Sequence, residues 1–169
     1  MKNKFNVIIV VVFVTVIATM IFFLSKQAST NNPTGQTIIK SAENTSFNKL
    51  GGGTIDLNDY VNKKPVILDF WASWCPYCQK NMPILNQLYL KYKDQVEVIG
   101  VNMQETEQTA QRFIESKEIK FPIVLDRDSI ITKEFGVLYT NTHVLIGIDG
   151  LVIKVIPGDI QESDIRSLL

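Results

Sequence analysis

Only two of the 169 residues are cysteine and only one is histidine, His143. A structural zinc site needs four N or S ligands, so this scarcity excludes a complete Cys/His zinc centre. The two cysteines, Cys75 and Cys78, are three apart. A disulfide kept only for structure would close so short a loop that it restricts the unfolded chain very little. Net charge is also lacking: 17 Lys and Arg balance 17 Asp and Glu, and without a basic excess no nucleic-acid partner is expected. There is no internal repeat. What remains is a dithiol that cycles between oxidised and reduced forms.

The hydrophobic content of 46% leaves room for one globular domain and an appendage. From Val7 to Leu24 the chain is apolar apart from Thr15 and Thr19 and carries no charge, at the lower range for crossing a bilayer. The residues that follow, Leu24-Ser25-Lys26-Gln27-Ala28, make a poor cleavage site. No later cysteine outside the Cys75/Cys78 pair offers a lipid attachment point. An uncleaved anchor over residues 1–24 is expected, with a cleaved signal as the alternative. Lys2 and Lys4 precede the segment and only Lys26 closely follows it, which keeps the N-terminus in the cytoplasm and places the remainder outside. Residues 25–45, rich in Asn, Ser and Thr with Pro33 and Gly35, read as a linker. A flexible coil of that length spans about 25 Å, holding the domain of residues 46–169 near the membrane surface.

Within that domain strands and helices alternate. Val66 to Phe70 reads as a strand buried on both faces, and a helix from about Cys75 to Tyr92 follows, with Pro76 in its tolerant first turn and Pro83 expected to kink it. Val96 to Val101 reads as a second strand, Glu107 to Lys117 as a helix, and Ser129 to Phe135 as a shorter helix capped by Ser129. Two further strands, Val144 to Ile148 and Leu151 to Ile156, flank the hairpin signal Asp149-Gly150. A helix from Gln161 to Leu169 closes an α/β domain with a mixed sheet.

Asp69-Phe70-Trp71-Ala72-Ser73-Trp74-Cys75-Pro76-Tyr77-Cys78 resembles the thioredoxin active-site stretch, and Pro83 is similar to the helix-kinking proline there. Phe47, Gly51 to Gly53, Thr54, Leu57, Asp59 and Lys64-Pro65 resemble the N-terminal hairpin and lead-in of membrane-anchored, extracytoplasmic thioredoxins of the TlpA/ResA type; so does Phe121-Pro122-Ile123-Val124-Leu125-Asp126 before a short helix. The resemblance implies a thioredoxin fold and a bacterial thiol-disulfide oxidoreductase acting on protein disulfides. Its typical work would be reducing apocytochrome c or a spore-envelope substrate, with re-reduction by an integral-membrane thiol protein of the CcdA type. No cofactor beyond the Cys75–Cys78 disulfide is expected.

Chemistry assigns roles to these residues. Cys75 at a helix N-terminus meets unpaired N–H groups and the positive end of the dipole, so its thiol pKa falls. A drop from about 8.5 to about 7 raises the thiolate share at neutral pH from a few per cent to about half. Cys75 is therefore the expected nucleophile, and Cys78, one turn on, the resolving thiol. Asp69 in an apolar strand reads either as the proton acceptor for Cys78, with a pKa raised by burial, or as an idle carboxylate bonded to backbone. Pro76 and Tyr77 would tune the potential and, with Trp74, line the substrate surface; Trp71 reads as core.

One position departs from the family. Asn141 falls where the family carries a cis-proline facing the cysteines, and no proline lies between Pro122 and Pro157. A cis bond before a non-proline residue costs about 2.5–4 kcal/mol, so Thr140-Asn141 is trans or strained. A reshaped substrate loop at Thr140 and Asn141 is the expectation, with a metal on Cys75, Cys78 and His143 as a lesser one. Two functional alternatives stand beside the reductase: an oxidant of the same fold, and a non-catalytic module holding an apo-protein or a metal. A peroxidase is disfavoured by Ala72, where peroxiredoxin-type sites carry Thr or Ser.

Overall fold

A computed structural model describes residues 46–169 together with Thr19 and Met20. The expected anchor and linker lie outside the described residues, apart from those two. Among the described residues no helix is long and apolar enough to cross a membrane.

The domain begins with a small hairpin, β1 (Ser46–Asn48) against β2 (Thr54–Asp56). Gly51, Gly52 and Gly53 turn it, all at positive φ where a side chain would be strained. A 3-10 turn over Leu57–Asp59 leads to the central strand. The main sheet comprises β3 (Val66–Trp71), β4 (Glu97–Met103), β5 (Ile123–Asp126), β6 (Thr142–Ile146) and β7 (Val152–Pro157), in the order β5-β4-β3-β6-β7. β3, β4 and β5 run parallel, while β6 and β7 are antiparallel to their neighbours, giving the mixed sheet that the pattern implies.

Helices α1 (Pro76–Tyr92), α2 (Glu107–Ser116), α3 (Ile130–Glu134) and α4 (Glu162–Arg166) complete the domain. In α1 the buried positions Cys78, Met82 and Leu85 recur at helical spacing and form the face that meets the sheet. Burial of each such apolar side chain contributes roughly 1.5–3 kcal/mol. Pro83 lies inside this helix, as expected.

Every residue of β3 is buried, and strict alternation sends its side chains into two cores. Ile67 and Trp71 join Cys75, Cys78, Met82, Leu85 and Leu145 on the α1 side. Val66, Leu68 and Phe70 join Phe135, Val144 and Ile146 on the other. Asp69 belongs by this alternation to the α1 side, and so does His143, two residues before Leu145. Gly100 sits opposite Asp69 in β4, and a Cβ there would lie 3.0 Å from Trp71 Nε1 and 2.5 Å from Ile123 Cδ1. The glycine makes room for the indole.

Two expectations need correction. Ser129 does not cap α3: its φ is +57° and its side chain makes no cap bond. Asp126 does that work instead, accepting from the N–H groups of Ile131 (3.0 Å) and Thr132 (2.8 Å) at the end of β5. The β6–β7 hairpin does not turn on Asp149-Gly150 alone. Its strands stop at Ile146 and resume at Val152, and the loop between them is closed by Gly147 N–H donating to Leu151 O at 2.8 Å.

Candidate active site

Cys75 stands at the N-cap of α1, its backbone still extended (φ −78°, ψ 115°) and Pro76 opening the helix. The Cys75 sulfur accepts from the Cys78 N–H at 3.2 Å. It thus does what a Ser or Asp does at other N-caps, answering one of the orphan donors of the first turn. Both cysteines are free thiols, and Cys75 is only 4% exposed against 1% for Cys78.

Their environments push the two thiols apart. Burial raises the Cys75 pKa, but hydrogen bonds from the Cys78 thiol, the Thr140 side chain and the N–H groups of Cys78 and Tyr77 outweigh it, and the net shift is downward. The Cys78 thiol is held well above the ordinary range, first by burial and then by its bond to Cys75 and the nearby Asp69 charge. Such a split gives one sulfur ready to attack and one that needs a base.

Asp69 is in mid-strand, 2% exposed, and burial raises its pKa from 3.8 to about 7. Its Oδ2 has no hydrogen-bond partner among the described residues. It lies in mid-strand rather than at the strand end where the alternative reading would bond it to backbone. Its cross-strand neighbour is His143, whose Nε2 lies 3.6 Å from Asp69 Oδ1. Burial lowers the His143 pKa to about 4, so the imidazole is neutral at physiological pH.

The turn before Cys75 is pinned by a residue that sequence reasoning missed. Glu105 accepts from the Ser73 N–H at 2.8 Å, the Ser73 hydroxyl at 2.5 Å and the Asn102 amide at 2.7 Å. Trp74 and Tyr77 are each 67% exposed beside the thiols, while Trp71 is buried and stacked on Phe113 at 4.8 Å.

Opposite the cysteines the loop takes an unexpected form. Among the described residues no peptide bond is cis, and Asn141 adopts φ +57°, a left-handed conformation that asparagine tolerates better than most residues. Asn141 is buried. Its N–H donates to Phe70 O and its carbonyl accepts from Gly158 N–H, both at 2.7 Å. Its side chain meets Asn81 of α1 and Asp159 after β7, each at 3.3 Å, and the Asn81 amide also donates to Asp159. Thr140 reaches Cys75; the Asn141 amide turns to this polar knot instead. Asn81 and Asp159 gave no sequence signal, since their meeting depends on where α1 and the β7–α4 loop are packed. Among the described residues no group of three or more His, Cys, Asp or Glu is arranged to hold a metal ion.

The fold and the cysteine pair have counterparts. Residues 38–155 match the AhpC/TSA family. The chain is 37% identical over 131 residues to the thiol-disulfide oxidoreductase ResA of Bacillus thuringiensis subsp. konkukian, covering 77% of this chain and 75% of that protein. To ResA of Bacillus subtilis it is 34% identical over 129 residues, covering 76% and 72%. Among solved structures, StoA from Bacillus subtilis superposes with a TM-score of 0.63 at 27% identity, over 73% of this chain and 93% of that one. A putative thiol:disulfide interchange protein DsbE from Chlorobium tepidum gives 0.67 at 27%, over 75% and 91%. With its Cys75/Cys78 dithiol seated at the start of α1 in a thioredoxin-like α/β domain, the chain belongs to the AhpC/TSA family and is a thiol-disulfide oxidoreductase of the ResA/DsbE type.

Proposed function

We propose that the protein is tethered to the bacterial cell membrane by residues 1–24, works outside the cytoplasm at the end of the 25–45 linker, and reduces disulfides in other proteins. Cytochrome c maturation and spore-envelope assembly are the settings that suit such a reductase, with an integral-membrane thiol donor of the CcdA type restoring the dithiol. The observation that carries the chemistry is the opposite bias of the two thiols: Cys75 stabilised as thiolate at the helix cap, Cys78 kept protonated beside Asp69.

The steps follow from that bias. The Cys75 thiolate attacks one sulfur of the substrate disulfide, and the other substrate sulfur leaves with the S–S electron pair and takes up a proton. Cys78 then gives its proton to the Asp69 carboxylate and attacks Cys75 Sγ. The second substrate sulfur departs with the electron pair of the mixed disulfide and takes up a proton from water, while Asp69 returns its own to solvent. Substrate gains two electrons and two protons, and Cys75–Cys78 becomes the disulfide. Trp74, Pro76, Tyr77 and Thr140 border the attacking sulfur and would meet the substrate; Asn141 would act through the loop it holds.

The full chain carrying Cys78→Ser in a bacterial membrane should accumulate mixed disulfides on Cys75, identifiable by mass spectrometry. If no covalent partner accumulates, the reading fails. A second reading, a disulfide-forming oxidant, is favoured by the hydrogen bonds that stabilise the Cys75 thiolate, because they stabilise the reduced form. The reduction potential separates the two: a value near thioredoxin's, about −270 mV, supports the reductase, and one near DsbA's, about −120 mV, the oxidant.

A further inference from the structure

The chemistry above leaves the buried imidazole of β6 without a task. His143 is 1% exposed, and its Nδ1 has no hydrogen-bond partner among the described residues. A buried imidazole without full pairing costs free energy, so its placement calls for a reason. Its Nε2 lies 3.6 Å from Asp69 Oδ1 on the adjacent strand, a contact slightly longer than a hydrogen bond, while Asp69 Oδ2 is left without a partner among the described residues.

We propose that His143 is the positioning residue for Asp69: as a neutral imidazole it directs its Nε2–H at Oδ1, holding the carboxylate in place and stabilising its charged form. This rests on the reading of Asp69 as proton acceptor for Cys78. The surroundings leave few other groups for the task. From β4 the residue opposite Asp69 is Gly100, which has no side chain, and from β7 the residue opposite His143 is Ile156. From α1 the titratable neighbour of Asp69 is Cys78. Toward His143 the acidic groups are Asp159, which takes the Asn81 and Asn141 amides, and Asp164, which is paired with Lys154 at 2.8 Å. Both carboxylates are already engaged by other partners. The other unpaired buried N–H donor on this face, Trp71 Nε1, is lodged against Gly100, whereas His143 is the donor that strand register places directly across from Asp69.

The consequence is a division of labour. Burial alone raises Asp69 to about 7, so an unaided carboxylate in that place is about half protonated at neutral pH and mostly protonated below it. An N–H directed at Oδ1 opposes burial and leaves a usable fraction ionised when Cys78 must lose its proton. Neutral His143 does this without adding a charge that would itself need compensation.

The reduced full chain, mixed with 5,5′-dithiobis(2-nitrobenzoate), gives the test. The first thionitrobenzoate is released when Cys75 forms its mixed disulfide, and the second when Cys78 resolves it, so the second phase reports the proton transfer. His143→Leu should move the midpoint of that phase's pH profile upward by about one unit, slowing it about tenfold on the acid limb well below the parent's midpoint, with the first phase unchanged. His143→Gln, which restores an N–H donor, should recover the rate to within about threefold. A profile for His143→Leu that superimposes on the parent overturns the proposal, as does a shift that His143→Gln fails to reverse. Asp69→Asn separates this failure from a deeper one: if it too leaves the second phase unchanged, Asp69 is not the acceptor and the reading beneath has failed.

Discussion

The two faces of the central strand make a contrast within six residues. On the side away from α1, Val66, Leu68 and Phe70 pack against Phe135, Val144 and Ile146, with Phe70 and Phe135 rings 6.3 Å apart and no polar side chain contributed by β3. On the α1 side the same strand contributes Asp69 between Ile67 and Trp71, and β6 answers with His143. Atoms of Asp69, Trp71 and His143 there remain without hydrogen-bond partners among the described residues. One face is optimised for cohesion. The other sacrifices cohesion to keep two thiols and a carboxylate in unequal protonation states, as expected where function and stability compete.

The largest effect that would sharpen this contrast is on the cohesive face. Phe70→Ala should cost about 3–5 kcal/mol, because a fully buried ring leaves a cavity the sheet cannot close. Denaturant titration reads the loss, and the Cys75 alkylation rate of the remaining folded protein should match the parent. A loss under about 1 kcal/mol would mean that this face is not the better-packed one.

On the reactive face the buried pair should produce opposite pH dependences when split. His143, lowered to about 4 from 6.5, supports the fold fully above pH 6.5 and loses that support as pH falls toward 4. Asp69, raised to about 7 from 3.8, supports it fully below 3.8 and loses that support as pH rises toward 7. Between about pH 4 and 6.5 the folded pair carries its proton on Asp69 and the unfolded pair on His143, so the two dependences cancel. Relative to the parent, Asp69→Asn should therefore lose stability toward acid and His143→Leu toward neutrality, each by about 1.4 kcal/mol per pH unit. Urea titrations across that window measure both. Slopes of the same sign would show that the two groups do not titrate as a pair.

The smallest effect lies at the thiolate. Thr140→Val removes one hydrogen bond to Cys75, a bond to a charged acceptor worth about 1.5–3 kcal/mol. The Cys75 pKa should rise, read from the pH dependence of iodoacetamide alkylation, while the apolar face and overall stability change little. An unchanged titration would assign the stabilisation to the helix cap alone.

Most of the frame was legible because its punctuation is local. Pro76 after Cys75 marks a helix start whatever the rest of the chain does, and the glycine run at 51–53 marks a turn. Ser129 misled for the same local reason: it is a good cap by type, but Asp126 comes off β5 with its carboxylate already aimed at the first turn of α3. The dithiol and the buried acid were readable from one ten-residue string. Its supports were not. Glu105 reaches Ser73 from the loop after β4, Asn81 and Asp159 meet around Asn141, and His143 faces Asp69 only because β3 and β6 adopt one register. Register and loop packing are set by the whole core, and no spacing in the sequence encodes them.

The Asn141 knot limits what position 141 can hold. Proline could not simply be introduced there. Its ring would demand φ near −65° where the backbone stands at +57°, and it would delete the N–H that holds Phe70 O. The amide side chain that joins Asn81 and Asp159 would go with it. Three residues from separate stretches depend on one another here: Asn81 and Asn141 are buried, and both amides rest on the carboxylate of Asp159 at the surface. A substitution at that surface position deprives two buried amides of a partner at once, so a single exposed side chain governs the wall that faces the thiols.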